Sequence, residues 1–498
     1  MNKDQKKIII IGGGIAGLSA GIYAQKAGFE VHIYEKNAVA GGECMGWNRR
    51  GHHIDNCIHW LTGTREGTSL RKVWEELGAL SKDTGFATCD KFYTCAYEGK
   101  RATLWKDLDR TEREFLELAP EDADEIIKFV QHVKYAFCCE MPVEKPMDMM
   151  TVADYMRLGK SMANMPKIMK EYGKINLEDL SDRFKNPVLK NLFCAYMPKE
   201  YTAHSLIISY ATMASGNGEV PKGGSLAMVN RMIERFKSLG GTLHLNCPVE
   251  KVLIEGKNAT GIKLADETTA PADYVISATD TNELFTRLIG EQYMSKEWKK
   301  CYGNTEDYPL FSGFQTAFSV DRDCYDETGT ILFDCAPLTV GATLASRMSV
   351  NSFEYEPGFA PENKMVLQSN FAQNDADYFW WKNLNSDEYI AKKEELCKEV
   401  TDRIIVQFPK LNGHIELLDC WSPLTYERYC NAYHGAYMSF ITKKDVKAFN
   451  VKGVVKGLSN VFIASQWIMA PGGLPVAAAA GRFAVQRILK KEKREIRL

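Results

Sequence analysis

The chain has 498 residues, of which 45% are hydrophobic and 25% are charged. This composition is ordinary for a folded globular protein, and it excludes a largely disordered chain because apolar residues are frequent enough to build a core. Lys and Arg number 62 against 64 Asp and Glu, a formal net charge of -2, which argues against a nucleic-acid-binding protein held by phosphate contacts.

The 14 cysteines are scattered, with no Cys-x-x-Cys pair and no Cys/His spacing of the zinc type. We therefore predict no metal site, reduced thiols and a cytoplasmic location. No membrane-spanning helix is predicted either, because the most apolar later stretch, residues 467–481, contains Pro471 and Pro475.

The first residues predict a strand, a glycine-rich turn, a helix and a second strand. Residues 8–11 are four isoleucines, which is typical of a buried parallel strand. Residues 12–17 then read Gly-x-Gly-x-x-Gly. A helix over 18–27 and a strand over 30–35 are predicted to complete the unit.

The spacing of four residues in this unit indicates a dinucleotide site. Gly12 permits a tight turn, Gly14 lets the backbone approach a pyrophosphate, and Gly17 lets the helix pack close to the strand. The helix N-terminus offers free N–H groups to the phosphates. Glu35 lies 21 residues after Gly14, close to the ~20 expected for an acid that binds a ribose hydroxyl. The alternative, a purely structural glycine turn, leaves the position of Glu35 unexplained.

The following segment resembles a known family. Residues 41–42 are a Gly-Gly pair, and residues 51–63 read Gly-His-His-Ile-Asp-Asn-Cys-Ile-His-Trp-Leu-Thr-Gly. This resembles the phytoene desaturase, carotenoid isomerase and retinol saturase group of FAD-dependent enzymes, which has Gly-x-x-x-Asp-x-Gly-x-His-Tyr at this point. Here Asn56 and Cys57 replace the glycine after the Asp, and Trp60 replaces the tyrosine.

The resemblance continues at intervals along the chain. Residues 221–225 resemble the family's Pro-x-Gly-Gly segment, and residues 421–426 resemble its substrate-side Pro-x-Thr segment. A helix over 476–489 corresponds to the family helix whose N-terminus points at the flavin. Just before it, Ser465 and Gln466 stand where the family has a glycine and an acid that touches the ribityl chain.

The turn and the resemblance together predict the cofactor, FAD, and the residues that bind it: Gly12, Gly14, Ile15, Ala16, Gly17, Glu35, Lys36, Gly41, Gly42, Glu43, His59, Val249, Gln466, Gly473, Leu474, Pro475 and Val476. For catalysis we predict His59, since imidazole exchanges a proton near neutral pH. The alternative is a histidine that only orients its loop. Tyr426 and Tyr429 are weaker proton-donor candidates, and Asp55 is expected to hold the loop.

The resemblance implies an α/β fold with two domains. A Rossmann-type FAD-binding domain, of the glutathione-reductase-like FAD fold, would comprise residues 1–75, 215–285 and 450–498. A discontinuous α+β substrate domain would comprise residues 76–214 and 286–449.

We therefore expect an FAD-dependent oxidoreductase that saturates, desaturates or isomerises a carbon–carbon double bond in a hydrophobic polyene or lipid-like substrate. A flavin amine oxidase shares the nucleotide motif, and a non-catalytic lipid carrier can use a related fold without flavin. Residues 59–60 and 423–425 favour the polyene branch over the amine oxidase, and the intact glycine turn argues against the carrier.

The predicted partner is a hydrophobic small molecule, with no nucleic acid, and no sequence feature specifies an oligomeric state. Residues 156–174 form a basic amphipathic segment with an expected kink at Pro166. Such a segment either lies on a membrane surface, as a peripheral contact, or covers the substrate domain with its lysines in water. Both alternatives stay open at this point.

Overall fold

The structure is a computed structural model that describes residues 5–194, 197–441 and 443–496. Its strands are β1 (Lys7–Ile11), β2 (Glu30–Tyr34), β3 (Gly46–Arg49), β4 (His52–Asp55), β5 (Leu61–Thr62), β6 (Phe86–Ala87), β7 (Lys91–Tyr97), β8 (Lys100–Trp105), β9 (Gly218–Pro221), β10 (Thr242–His244), β11 (Val249–Glu255), β12 (Asn258–Leu264), β13 (Thr269–Pro271), β14 (Tyr274–Ser277), β15 (Ser312–Asp321), β16 (Thr330–Val340), β17 (Thr343–Ser352), β18 (Lys364–Gln373), β19 (Ile415–Trp421) and β20 (Val461–Ile463).

The helices are α1 (Ile15–Lys26), α2 (Ser69–Glu76), α3 (Leu108–Leu118), α4 (Ala123–Tyr135), α5 (Val152–Ser161), α6 (Met165–Tyr172), α7 (Leu177–Ser181), α8 (Pro187–Phe193), α9 (Ala203–Ala214), α10 (Gly224–Ser238), α11 (Thr281–Glu283), α12 (Lys296–Tyr302), α13 (Asp375–Lys382), α14 (Ser386–Gln407), α15 (Pro423–Cys430) and α16 (Leu474–Lys491). Short 3₁₀ turns lie between several of them.

A five-stranded parallel sheet with the order β10-β2-β1-β14-β20 forms the centre of one half of the molecule. The isoleucines of β1 alternate between its two faces. Ile8 and Ile10 pack with α1, α10 and α16, whereas Ile9 and Ile11 pack towards the antiparallel sheet β11-β12-β13. Both faces of this strand are therefore covered by protein, which explains why residues 8–11 are all apolar.

Helices α1 and α16 cross at unusually close range. A methyl group at Gly481 would lie 2.5 Å from the amide nitrogen of Ala20 and 2.6 Å from the carbonyl oxygen of Ala16. Beside this contact the Ser19 hydroxyl donates to the carbonyl of Ala478 at 2.7 Å. The contact ties residues near the two ends of the described chain into one layer over the parallel sheet.

A seven-stranded sheet with the order β19-β15-β18-β17-β16-β7-β8 dominates the other half. One of its faces is apolar and packs against α13 and α14. The opposite face turns towards the interior of the molecule, where it lines the cavity described below. Helices α3, α4 and α6 to α9 form a further apolar cluster that packs against β7 and β8, whereas α5 contributes no buried residue.

The five strands of the parallel sheet all fall within the segments predicted for the FAD-binding domain, and the seven strands of the larger sheet fall within those predicted for the substrate domain. The exact domain boundaries stay a prediction. The predicted strands and helices are present with small shifts at their ends. The predicted helix over 18–27, for example, is α1, which begins three residues earlier at Ile15 and ends at Lys26.

One local prediction is wrong. Residues 156–174 are not one kinked helix but parts of two helices, α5 and α6, separated by residues 162–164. Pro166 is the second residue of α6, so it begins a helix instead of bending one. Proline is favoured there because an N–H in the first turn has no intrahelical acceptor.

The crossing of α1 and α16 predicts a specific stability defect. Gly481→Ala would push the two helices apart, because the atoms that its methyl group meets belong to backbone. We expect a loss of about 1–3 kcal/mol in the free energy of unfolding, measured by denaturant titration. Gly159→Ala is the matched control, since Gly159 lies in the exposed helix α5 with no atom within 4 Å of an added methyl group. It should stabilise by about 0.5–1 kcal/mol; equal effects would contradict the packing argument.

Candidate functional site

A cavity of about 1390 Å³ lies between the two large sheets. The residues that follow β1, β2, β14 and β20 line one end of it, namely Gly12, Glu35, Ala278 and Ser465. The inner face of the seven-stranded sheet lines the other end. Pockets for one small molecule usually measure about 300–1,000 Å³, so this cavity has room for a cofactor and a second molecule together.

The glycine turn between β1 and α1 has the geometry that its spacing predicts. Gly12 has a φ of +102°, and its N–H donates to the carbonyl of Tyr34 at 2.8 Å. A methyl group at Gly17 would lie 2.0 Å from the Gly12 carbonyl oxygen. Only glycine therefore allows this close approach of helix to turn.

Gly14 differs from its neighbours because it faces open space. An added methyl group there would meet no atom nearer than the Gly41 carbonyl oxygen at 3.8 Å. Gly14 is also the N-cap of α1 and supplies no side-chain acceptor to the first turn, where Ile15 and Ala16 line the cavity. The free N–H groups and the positive helix end make this a binding place for an anion.

Glu35 closes the turn from the other side. Its Oε2 accepts the backbone N–H of Gly13 at 2.8 Å, and its Oε1 accepts both the backbone and the side-chain N–H of Asn37 at 2.9 Å. The residue is 5% exposed and lines the cavity. Oε2 keeps a lone pair, so the carboxylate can still accept a hydroxyl.

Two further predicted residues lie near Glu35. Lys36 donates to the carbonyl of Arg428 at 2.9 Å and to the side chain of Asn431, and burial lowers the pKa of its ammonium group. Its donors are thus directed to the C-terminal end of α15. Val249 is buried at the start of β11 and lines the cavity.

The Gly-Gly pair packs directly on the glycine turn. The N–H of Gly41 donates to the carbonyl of Gly13 at 2.9 Å, and a methyl group at Gly42 would lie 3.3 Å from the Cα of Gly14. Both residues have positive φ angles, +139° and +61°. Side chains at positions 41 and 42 would narrow the space that is open beside Gly14.

A hydrogen-bonded chain joins Glu43 to the start of α16. The Gln466 amide donates to the Glu43 carboxyl at 3.0 Å and accepts the N–H of Gly473 at 2.8 Å. Gly473 is the N-cap of α16 and provides no side-chain cap, so the first turn with Leu474, Pro475 and Val476 opens on the cavity. A second helix N-terminus therefore faces the same space as α1.

Two acidic side chains in the cavity carry less negative charge than their type suggests. Burial raises the pKa of Glu43 to about 8 and that of Asp280 to about 7. Asp280 lines the cavity after β14 and accepts the backbone N–H of Tyr433 at 2.8 Å. Partly protonated carboxyls lower the repulsion that a polyanion would otherwise meet here.

Asp55 holds the loop that carries His59, as predicted. Its Oδ1 accepts the backbone N–H groups of Cys57 at 3.1 Å and Ile58 at 3.2 Å. Ser225 donates its hydroxyl to Oδ1 and its backbone N–H to Oδ2, both at 2.6 Å. A methyl group at Gly224 would lie 2.1 Å from the Asp55 carboxylate. Glycine is therefore required where α10 meets this loop.

His59 faces the cavity from this loop. In the described part of the chain its imidazole has no hydrogen-bond partner. The residue is exposed to the cavity space, and desolvation by the surrounding protein atoms lowers its pKa below the ordinary value. The imidazole is thus neutral at neutral pH and free to accept a proton. Its neighbour Trp60 packs edge-on against Phe92 with ring centroids 5.3 Å apart.

The two predicted tyrosines lie in different surroundings. The Tyr426 hydroxyl accepts from Gln315 at 2.7 Å and from the Trp421 indole at 3.1 Å, and it donates to Asn56 at 2.9 Å. Burial raises its pKa well above the usual range. Its proton is therefore already engaged, and the geometry favours a positioning role over proton donation.

Tyr429 is 54% exposed and lies at the edge of the cavity. Its carbonyl accepts from the Asn37 side chain at 2.9 Å, next to Glu35, and its ring contacts the Arg428 guanidinium at 4.8 Å. The structure thus places Tyr429 at the Glu35 end of the site, not in the Tyr426 network. Its catalytic role stays a prediction without support from this geometry.

The sequence did not predict several residues of the site, nor the pairings between distant residues that it did predict. Asn56 was visible as a departure from the family pattern, but its bond to Tyr426 joins residues 370 positions apart. The pairing of Glu43 with Gln466 spans 423 positions. Gln315 and Asp280 carried no sequence signal. Gln315 is a single polar residue within β15, and Asp280 is a single polar residue shortly after β14.

The site fits FAD in its donor chemistry. Two uncapped helix N-termini can take the phosphates and a negatively polarised ring, and Glu35 can take a ribose hydroxyl. The model of one protein family, flavin containing amine oxidoreductase, matches residues 15–489. The chain belongs to this family. It is therefore an FAD-dependent oxidoreductase, and the predicted cofactor and enzyme class are confirmed.

Relatives of known activity in this flavin family include carotenoid desaturases. A phytoene desaturase (lycopene-forming) from Paracoccus sp. is 26% identical over 57% of this chain and 57% of that protein. A 4,4'-diapophytoene desaturase (4,4'-diapolycopene-forming) from Methylomonas sp. is 22% identical over 98% of this chain and 96% of that protein. The chain thus matches little more than half the length of the first relative and nearly all of the second. The predicted family resemblance is confirmed.

Solved structures support the fold assignment. Cyclohexylamine oxidase from Brevibacterium oxydans superimposes with a TM-score of 0.61 at 13% identity, covering 98% of this chain and 100% of that one. An oxidoreductase from Methanosarcina mazei gives a TM-score of 0.59 at 16% identity, covering 97% and 100%. At this identity the likeness concerns the fold alone, and it confirms the predicted fold class.

The open space at Gly14 predicts a variant that folds but binds FAD poorly. Gly14→Ala meets no clash in the protein, and the φ of -73° suits alanine, so thermal stability of the apoprotein should be unchanged. Its methyl group occupies the approach to the helix N-terminus, and we expect FAD affinity to fall at least about tenfold, a loss of one charge-assisted hydrogen bond. Flavin fluorescence titration of apoprotein measures this.

Gly17→Ala is the control for that experiment. Its methyl group would clash with the Gly12 backbone, so it should lower thermal stability as well as FAD affinity. Wild-type affinity in Gly14→Ala would show that no phosphate approaches this turn.

Proposed function

We propose that this flavoenzyme saturates, desaturates or isomerises a carbon–carbon double bond in a hydrophobic polyene or lipid-like substrate. One observation carries the proposal: a single cavity joins the dinucleotide end, at Gly14 and Glu35, to the inner face of the seven-stranded sheet. A cofactor and an elongated apolar molecule can therefore lie in one continuous space. The names of the Paracoccus and Methylomonas relatives support a polyene as the substrate class.

Bound FAD supplies a ring that accepts or delivers a hydride. The residues of this chain do the rest. The α1 N-terminus and the open Gly14 would hold the pyrophosphate, Glu35 would accept a ribose hydroxyl, and Gln466 would orient the α16 N-terminus through Gly473. The positive end of α16 favours negative charge at the place it faces.

We assign proton transfer to His59. Removal of two hydrogens from a carbon–carbon bond as a hydride and a proton requires an acceptor for the proton, and the reverse reaction requires a donor. The His59 imidazole faces the cavity and is neutral, with no competing partner in the described chain. Tyr426 is less suitable because its hydroxyl proton is donated to Asn56.

The substrate class is tested with flavin absorbance under anaerobic conditions. Phytoene or all-trans-retinol should change the oxidised or reduced flavin band of the holoenzyme, whereas putrescine and cyclohexylamine should leave it unchanged. Bleaching by the amines alone would replace this proposal with an amine oxidase.

Substitution of His59 predicts a change in both rate and pH profile. We expect His59→Ala to keep FAD and to lower turnover by about 10²–10⁴-fold. For a substrate that loses hydrogen, where His59 accepts the proton, wild-type kcat/KM should be flat near neutral pH and fall only below about pH 6.5, the ordinary imidazole value, because desolvation in the cavity lowers the pKa of His59. The variant should lack this acidic limb.

His204→Gln is the matched control, since His204 is another histidine whose pKa burial lowers and which does not line the cavity. Its pH profile should equal that of wild type. Unchanged turnover in His59→Ala with flavin still bound would make His59 a structural residue.

We further propose that α5 touches the surface of an anionic membrane while the protein stays cytoplasmic. Helix α5 buries none of its residues, and Val152 and Met156 are 77% and 61% exposed. Lys160 and Lys170 are exposed nearby and match the charge of anionic lipids. No helix in the described residues has the length and apolar character to cross a bilayer.

Vesicle flotation tests this contact. Val152→Glu/Met156→Glu should reduce co-flotation with phosphatidylglycerol vesicles several-fold, because two charges enter the apolar surface. Val406→Glu is the control, as Val406 is equally exposed on α14 in the other half of the molecule. Equal flotation of all three proteins would exclude α5 as the contact.

A further inference from the structure

We propose that the substrate carries an uncharged hydroxyl group, which donates a hydrogen bond to a polar wall formed by Gln315, Gln368 and Asn370. This inference rests on the proposed function, since it names a feature of the molecule that occupies the same cavity. All three residues line that cavity. A site built for a pure hydrocarbon gains nothing from buried amides, which cost free energy when they lack partners.

The wall is one face of a two-faced sheet. Strands β15 and β18 pair antiparallel with Gln315 directly opposite Asn370, and Gln368 lies two residues further along, on the same side. The other side of these strands carries Phe314, Leu367 and neighbouring apolar residues that pack against α13 and α14. The three amide side chains thus lie on the cavity side.

The orientation of the Gln315 amide is fixed through three bonds. The Asn56 amide nitrogen donates to the backbone carbonyl of Glu43 at 3.2 Å, so its oxygen must accept from Tyr426. Since Tyr426 donates its only proton to Asn56, Gln315 must present its nitrogen to Tyr426, at 2.7 Å. The Gln315 oxygen therefore remains as an acceptor, and it has no partner among the described residues.

Gln368 is fixed in the same way. Its nitrogen donates to the backbone carbonyl of Asp55 at 2.9 Å, which leaves its oxygen as an acceptor. That oxygen is buried and has no partner in the described chain. Protein atoms enclose the Gln368 oxygen, so the Gln315 oxygen is the acceptor that is available to a ligand, and an acceptor requires a donor from that ligand.

Asn370 completes the wall with an amide that makes no hydrogen bond to any described residue. Its side chain lies over Gly313, where a methyl group would come within 2.5 Å of the Asn370 oxygen. Glycine at position 313 therefore leaves the space that the Asn370 amide occupies. Because an amide both donates and accepts, Asn370 can bind the oxygen of a hydroxyl whose proton goes to a glutamine.

The wall selects a neutral donor over a cation. Among described residues, Arg347 is the one charged side chain on β15 to β18 that lines the cavity. Its guanidinium is already bound to Asp334 at 2.9 Å, to Asn191 at 3.2 Å and to Cys95 at 3.0 Å. No carboxylate of these strands is available to stabilise an ammonium group, which favours an uncharged donor such as an O–H.

Competitive probes test the assignment. Holoenzyme is titrated in one detergent with all-trans-geranylgeraniol, with the hydrocarbon that lacks its hydroxyl, and with geranylgeranylamine, and the shift of the flavin absorbance band gives each Kd. The hydrocarbon-to-alcohol Kd ratio is compared between proteins, which cancels the partitioning of each probe into detergent. We expect Asn370→Leu to lower this ratio about tenfold, the effect of one hydrogen bond.

Thr316→Val is the control, because the buried Thr316 hydroxyl also lacks a partner but belongs to the other side of β15. Its ratio should stay within about twofold of wild type. Asn370→Ala repeats the test with a smaller side chain in case the leucine variant does not fold.

The outcomes separate the two proposals. A ratio that Asn370→Leu and Asn370→Ala leave unchanged overturns the hydroxyl assignment while the hydrophobic substrate stands. Tighter binding of the amine than of the alcohol overturns the neutral donor. If none of the probes shifts the flavin band, the proposed substrate class is wrong and this inference falls with it.

Discussion

The structure depends on two helix N-termini that end without side-chain caps at the same interior space. N–H groups of a first helical turn are costly when buried without acceptors, and here α1 and α16 both leave them facing the cavity. The close crossing at Gly481 and the bond from Ser19 hold the helices in this arrangement. An anionic cofactor satisfies groups that the protein alone leaves open, so folding and flavin binding are linked.

This constraint explains which parts of the molecule the sequence could predict. The glycines at 12, 14 and 17 and the acid at 35 act within one β-α-β unit, so their spacing along the chain is already their spacing in the fold. The same holds for Asp55, whose acceptors serve the next few N–H groups. Local rules therefore recovered the cofactor end of the site.

The remainder is formed by contacts between distant segments. The bond of Gln466 to Glu43 shows why: each residue was singled out, but neither spacing nor residue type says that they meet. Gln315 was not singled out at all, because a single glutamine in a strand has no pattern until the sheet reveals which side it faces. A proline within an amphipathic segment predicts a kink, whereas Pro166 lies in the first turn of α6. Helix boundaries are hard to place without knowing what the helix packs against.

The hydrogen bond between Gln368 and Asp55 has a geometric consequence. Gln368 belongs to the wall that faces the substrate, and its amide holds the backbone carbonyl of Asp55, at the start of the loop that carries His59. The wall on β18 and the loop that carries the His59 imidazole are thereby joined directly by a hydrogen bond. The fixed distance between the wall and His59 would determine which carbon–carbon bond of the substrate reacts, counted from the bound oxygen. That position would stay the same among substrates of different length.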